Sequence, residues 1–303
     1  MSLSNVAASV RQRLLNRARS EGEDFQRLLV RYALERLLYR ITVSDWRNQF
    51  VLKGAFTFLL WQGNLHRPTR DLDLMGYGPP QPHAVEDVFR AIVEMKVSDD
   101  GLHFDPSNIK AAPIREQAEY DGIRVKVIAH IGSARIPLQT DVGFGDAITP
   151  APEVATFPPL LEFTAPTIRM YPRETVVAEK FHGMVRFGMA NTRMKDYYDL
   201  WFVSEHFAFE GTTLHRAVRA TFERRSTALP TGPPGPLTDD FVQVEGKKRQ
   251  WAAFLDRMDL EEATLSLSDV VRRGRAFLEP VLQAIQVETP LRATWPPGGS
   301  WEG

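Results

Sequence analysis

Two alternating runs separated by a short glycine turn constrain the fold more than any other feature of this chain. Val125, Val127, Ala129 and Ile131 fall on one face of the first run, with Arg124, Lys126, Ile128 and His130 on the other. After the turn at Gly132–Ala134, Ile136, Leu138, Thr140, Val142 and Phe144 share one face, and Gln139 and Asp141 take the opposite one. Successive strand side chains point to opposite sides, so this pattern predicts an antiparallel hairpin with one buried and one accessible face. A third strand is expected at about residues 70–75, where Asp71-Leu72-Asp73-Leu74 alternates carboxylates with leucines before the Gly/Pro-rich turn 76–80.

Around these strands the hydrophobic period changes to that of helices. Helix is expected over residues 5–40, over 82–96, and at the end of the apolar segment 50–62, which leads through Gly54 into a helix ending near Gly63. Beyond a proline-rich connector (Pro150, Pro152, Pro158, Pro159, Pro166), helices are expected at 173–189, 193–207, 212–225, 239–257 and 268–285. The fold class is therefore α+β: a mixed sheet with flanking helices, followed by a mostly helical C-terminal half. With 303 residues, two domains are expected. The division places an α/β domain with N-terminal helices at 1–150, a helical domain completing the site at 151–288, and a loosely ordered tail at 289–303.

Composition narrows the function classes. The chain has no cysteine, which excludes disulfides and thiolate-ligated zinc and fits a cytoplasmic location. No apolar run is long enough to span a bilayer, so no membrane partner is expected. A net charge of −1 does not mark the whole molecule as a nucleic-acid binder. Basic residues are nevertheless clustered: residues 1–50 hold nine arginines against five acidic residues, and further clusters sit at Arg216/Arg219/Arg224/Arg225, 247–249 and Arg272/Arg273/Arg275. Each alone reads as a solvated helix face; together they leave room for a local phosphate-binding track.

The carboxylates carry the chemistry. On a strand, Asp71 and Asp73 project to one side, where two like charges repel unless a cation neutralises them. A lone Asp-x-Asp also occurs on many exposed strand edges. Asp141, on the polar face of the hairpin, is the candidate third ligand. Three such carboxylates suit Mg²⁺ or Mn²⁺ in phosphoryl transfer, with an acidic side chain such as Asp141 taking the acceptor proton. Lys53-Gly54-Ala55 precedes the pair and offers a small-residue turn at a helix start, where backbone N–H groups approach phosphate.

Lys180 shares a helix face with Val176, Met184 and Phe187, an unusual place for an ammonium unless it reaches a partner or snorkels. Glu179 or Asp199 would serve as that partner. The helix beginning near Arg193 is apolar nearly all round, so Asp196 and Asp199 are expected to be buried and paired with Arg193, Lys195 or Lys180.

In order along the chain, Phe50-Val-Leu-Lys-Gly-Ala, Arg67-Pro-Thr-Arg-Asp-Leu-Asp-Leu, Leu138-Gln-Thr-Asp-Val-Gly-Phe-Gly-Asp, Arg173-Glu-Thr-Val-Val-Ala-Glu-Lys and Arg193-Met-Lys-Asp-Tyr-Tyr-Asp-Leu resemble the AbiEii/MenT nucleotidyltransferase-like toxins. These belong to the DNA polymerase β-type nucleotidyltransferase superfamily, and the similarity spans roughly residues 48–205. It implies a nucleotidyltransferase-like sheet and transfer of NMP from an NTP to an RNA acceptor, the tRNA 3′ end, with a block of translation and a cognate antitoxin. It implies Asp71, Asp73, Asp141, Lys180, Asp196 and Asp199 as catalytic residues. For the nucleotide it implies Lys53, Gly54, Ala55, Arg67, Thr69, Lys180 and Arg193. One departure is Gly54-Ala55 where the superfamily carries Gly-Ser or Gly-Gly; any hydroxyl contact to triphosphate is lost there, and Thr69 is expected to substitute in part. Two other readings stand beside this one: transfer to a protein or small molecule, and a catalytically silent nucleotide- or RNA-binding module.

Overall fold

A computed structural model describes residues 3–114, 122–258 and 264–303, with side chains from residue 6 onward. The chain divides into two compact units, one of residues 1–145 and 153–170, the other of residues 146–152 and 171–303. The units do not part at a single cut at 150: residues 146–152, with Pro150 and Pro152, belong to the second unit, and residues 153–170 to the first.

In the first unit the elements run α1 (Leu3–Glu21), α2 (Phe25–Val43), β1 (Phe50–Lys53), α3 (Ala55–Gln62), β2 (Asp71–Gly76), α4 (Pro82–Glu94), β3 (His103–Pro113), β4 (Gly122–Ile131), β5 (Ala134–Phe144), β6 (Glu153–Thr156) and β7 (Thr167–Met170). Among the described residues these strands make a seven-stranded mixed sheet in the order β3-β4-β5-β2-β1-β7-β6. β4 and β5 form the expected hairpin, and β2 lies parallel to β5 and antiparallel to β1.

Local sequence explains most of these elements. Asp24 caps α2 by accepting the Arg27 N–H, and Pro82 opens α4, where its missing N–H costs nothing. Val85, Phe89, Ile92 and Val93 then place one buried face of α4 against the sheet core. The alternating leucines of β2 are sealed, Leu72 at 1% and Leu74 at 0% exposure, which forces the aspartates between them to the other side. Under the helices, Arg36 and Arg40 both bind the buried Asp100 carboxylate at 2.9 and 2.7 Å, and the Leu160 N–H donates to Glu35 at 2.8 Å. Buried charges survive here because each is paired.

The second unit is helical: α5 (Arg173–Phe187), α6 (Met194–His206), a two-residue strand β8 (Phe209–Glu210), α7 (Gly211–Arg224), α8 (Asp239–Gln243), α9 (Lys247–Met258), α10 (Leu267–Gln286) and β9 (Thr294–Trp295). The helix expected over 239–257 is two helices, broken next to Gly246, whose φ of +84° no continuing helix allows. The tail expected to be loose is docked instead. β9 pairs with β8, Trp295 is 1% exposed and donates its indole N–H to the Ser204 carbonyl at 2.8 Å, and the Arg273 guanidinium lies 4.4 Å from its ring centre. Trp301 stacks on Phe277 and donates to its carbonyl at 2.9 Å. Two isolated tryptophans in a Gly/Pro-rich segment carry no periodicity, so their large apolar area went unread. Among the described residues no helix is long and apolar enough to cross a membrane.

Candidate active site

Strand register assembles the site in the first unit. Lys53 opposes Asp73, Asp73 lies beside Asp141, and Asp141 opposes Arg124. Cross-strand partners share a face, so these four side chains form one row across β1, β2, β5 and β4. Asp71 stands one step along β2 in the next row, beside Gln139 and then Lys126 and Lys110. The expected same-face placement of Asp71, Asp73 and Asp141 is what the sheet delivers.

The turn between β1 and α3 is bound to this row. Gly54 has φ +72° and ψ −155°, a backbone region open essentially to glycine alone. A Cβ there would lie 2.0 Å from an Asp73 carboxylate oxygen, so the backbone of the turn rests directly on that carboxylate. The helix start at Ala55 follows, and free N–H groups at such a start favour anions. Thr69, the expected substitute for the hydroxyl absent at position 55, donates its own hydroxyl to the Asp71 carbonyl at 3.3 Å. Thr57 does reach the turn: its hydroxyl donates to the Gly54 carbonyl at 2.8 Å and braces it.

Asp141 is held by a residue that sequence reasoning left among solvated strand positions. Arg124 grips it with two hydrogen bonds, Nε to Oδ1 at 2.9 Å and Nη2 to Oδ2 at 2.7 Å, the strong forked geometry of guanidinium and carboxylate. Counting outward from the two-residue turn Gly132-Ser133 opposes Ile131 to Ala134 and Arg124 to Asp141, so the signal was present in the hairpin register. Among the described residues no three His, Asp or Glu side chains are drawn together into a metal cage. The donor set still fits a hard divalent cation: Asp71 and Asp73 offer carboxylate oxygens on one face, and magnesium characteristically takes one or two carboxylates and completes its shell with water and phosphate. Asp141 stands beside the pair with both of its carboxylate oxygens engaged by Arg124.

In the second unit, α5 and α6 bring Lys180, Asp196, Asp199 and Arg193 together. The Lys180 ammonium lies 3.0 Å from Asp196 Oδ1 and 2.5 Å from Asp199 Oδ2, and Arg193 Nε is 3.0 Å from Asp196 Oδ2. The side chains of Asp196 and Asp199 are 6% and 1% exposed, so the expected internal ion-pair network is present. Burial pushes the Asp196 carboxyl upward, but the charges of Lys180, Arg193 and Lys195 outweigh it and hold it below the ordinary aspartate value. Arg67 is buried in the first unit at 8% exposure.

Comparison with known proteins gives this geometry a family. Two solved structures from Helicobacter pylori are similar: JHP933 (12% identity, TM-score 0.49, covering 88% of this chain and 95% of that one) and a candidate nucleotidyltransferase (13% identity, TM-score 0.48, covering 88% and 98%). Among curated proteins no relative matches. The family described as Nucleotidyl transferase AbiEii toxin, Type IV TA system, matches residues 36–294, which include every candidate site residue above; the chain belongs to the AbiEii nucleotidyltransferase toxin family.

Proposed function

We propose that this protein transfers a nucleoside monophosphate from an NTP to an RNA acceptor, the 3′ end of tRNA, and so blocks translation. Family membership already implies nucleotidyl transfer, a nucleotide substrate and an antitoxin partner. The observation that supports transfer from a triphosphate is the Gly54 turn resting on Asp73, with Asp71 on the same face. It sets anion-binding backbone against paired carboxylates, as transfer from a triphosphate requires.

Asp71 and Asp73, with Asp141, are the residues that would hold Mg²⁺, which supplies charge neutralisation for the phosphates. The Lys53-Gly54-Ala55 turn receives the triphosphate, and Arg67, Thr69 and Arg193 are further proposed nucleotide contacts. The acceptor hydroxyl oxygen bonds to the α-phosphorus as the bond to the β-phosphate oxygen breaks. Pyrophosphate leaves, and the hydroxyl proton passes to a carboxylate, for which Asp141 is the proposed group. Lys180 is proposed to neutralise the triphosphate.

Incubation of the full chain with each labelled NTP, Mg²⁺ and either total RNA or protein tests this reading. Label at RNA 3′ ends, lost in Asp73→Ala, is the expected result. Label in protein alone, or equal growth inhibition by wild type and by Asp71→Ala, would reject it.

A further inference from the structure

The first unit contains a cleft of about 610 Å³ with Asp71 on its wall. Five cations line it: Arg27, Arg70, Lys110, Lys126 and Arg135, against Asp24 and Asp71. All five are exposed, and none forms a salt bridge to a described carboxylate. In a chain of net charge −1, such a local surplus raises the concentration of anions at one place.

Register sets the direction of this cleft. The row nearest the Gly54 turn holds Lys53, Asp73, Asp141 and Arg124. The cleft begins one row further on, at Asp71, Gln139, Lys126 and Lys110, and continues past Pro137 and Ile128 toward Arg135. It therefore leads from the carboxylate pair away from the turn proposed for the triphosphate. In-line displacement needs the acceptor oxygen opposite the leaving pyrophosphate, which is the side this cleft opens on. Its lining has no aromatic ring, so it offers no stacking platform for bases.

We infer that this cleft holds the phosphate backbone of the acceptor RNA strand and leads its 3′ end to Asp71, an assignment that rests on the proposed transfer reaction. Binding here is through charge, without base readout, so it is insensitive to sequence and steep in salt.

Fluorescence anisotropy with a labelled single-stranded RNA, read at several salt concentrations, tests the assignment. Each phosphate neutralised on a single strand contributes a slope of about −0.7 in log K against log salt, so five contacts give about −3.5. From about 50 to about 200 mM salt, wild type should lose on the order of 100-fold in affinity and Lys126→Glu/Arg135→Glu only about 20-fold, from a weaker start. Lys126→Gln/Arg135→Gln serves if the reversal impairs folding, and should flatten the slope in the same direction. Arg257→Gln/Arg292→Gln, exposed in the second unit and outside its basic clusters, should match wild type.

Coincident slopes for wild type and both cleft variants overturn the assignment, as does equal weakening by the Arg257/Arg292 control. Binding of a polyglutamate peptide with this charge dependence, and no binding of RNA, assigns the cleft to an acidic protein segment instead. Labelled NMP transfer measured alongside separates the two ideas. Predicted slopes without transfer to RNA reject the reaction and keep the cleft; transfer with coincident slopes does the reverse.

Discussion

Gly54→Ala should damage both the stability and the chemistry of this protein, for two separable reasons. The first is backbone: φ +72° with ψ −155° costs a residue with a Cβ about 1–3 kcal/mol. The second is contact. The new methyl would lie 2.0 Å from Asp73 Oδ2, 2.7 Å from its Cγ and 2.8 Å from its Cβ. A rotamer change can move the oxygen but not the Cβ, so β1 and β2 themselves must part. With overpacking included, the loss of stability should reach about 2–4 kcal/mol. A shift of about 1 Å in a carboxylate that aligns the reacting groups should lower kcat on the order of 100-fold. Urea unfolding and labelled NMP transfer read the two effects. Gly63→Ala is the control: its φ is +85°, yet nothing lies within 4 Å of a Cβ there, so it should lose about 1 kcal/mol and keep its activity. Wild-type turnover in Gly54→Ala would refute the coupling between this turn and Asp73. Equal loss of kcat in both variants would show that strain alone, not the contact, was responsible.

Three further outcomes follow from the geometry. Lys180→Met should destabilise the protein by about 3–5 kcal/mol in urea unfolding, because it strands the buried Asp196 and Asp199 without their shared cation. Two groups should tilt stability against pH in opposite senses. Burial raises the Glu35 carboxyl to about 6, so its contribution is complete below its ordinary value near 4.5 and is lost as pH rises through about 6. Burial, with Arg225 and Arg186, lowers His182 to about 4, so its contribution is present above about 6.5 and is lost as pH falls toward 4. Glu35→Gln should remove the first slope from a series of unfolding curves and leave the second. Trp295→Ala should cost about 3–5 kcal/mol, as expected for a side chain 1% exposed; a loss within about 0.5 kcal/mol would mean that the tail is dispensable.

Much of the fold was legible because it is written in short-range patterns. Alternation marks β2, β4 and β5, and the same alternation that buries Leu72 and Leu74 turns Asp71 and Asp73 to one face. Glycine, proline and helical spacing locate α3 and α4. The strands that escaped notice lack such patterns. β3 is irregular, with a register shift between Asp105 and Lys110, and β6 and β7 lie in a proline-rich stretch and hold their places through pairing with each other and with β1. The tail was misread for a related reason: Trp295 is ordered by Ser204, Arg273 and Phe277, none of them near it in the chain.

The sequence by itself determined that two aspartates share a strand face, that a lysine lies on an apolar helix face, and that aspartates of a buried helix need cationic partners. Each of these follows from the period of one element. Only the tertiary structure decided which strands lie side by side. That pairing sets Asp141 next to Asp73, rests the Gly54 turn on a carboxylate, and gathers five separate cations around one cleft. The physical reason is that period tells which way a side chain points, whereas its neighbours depend on hydrogen bonding between segments far apart in the chain.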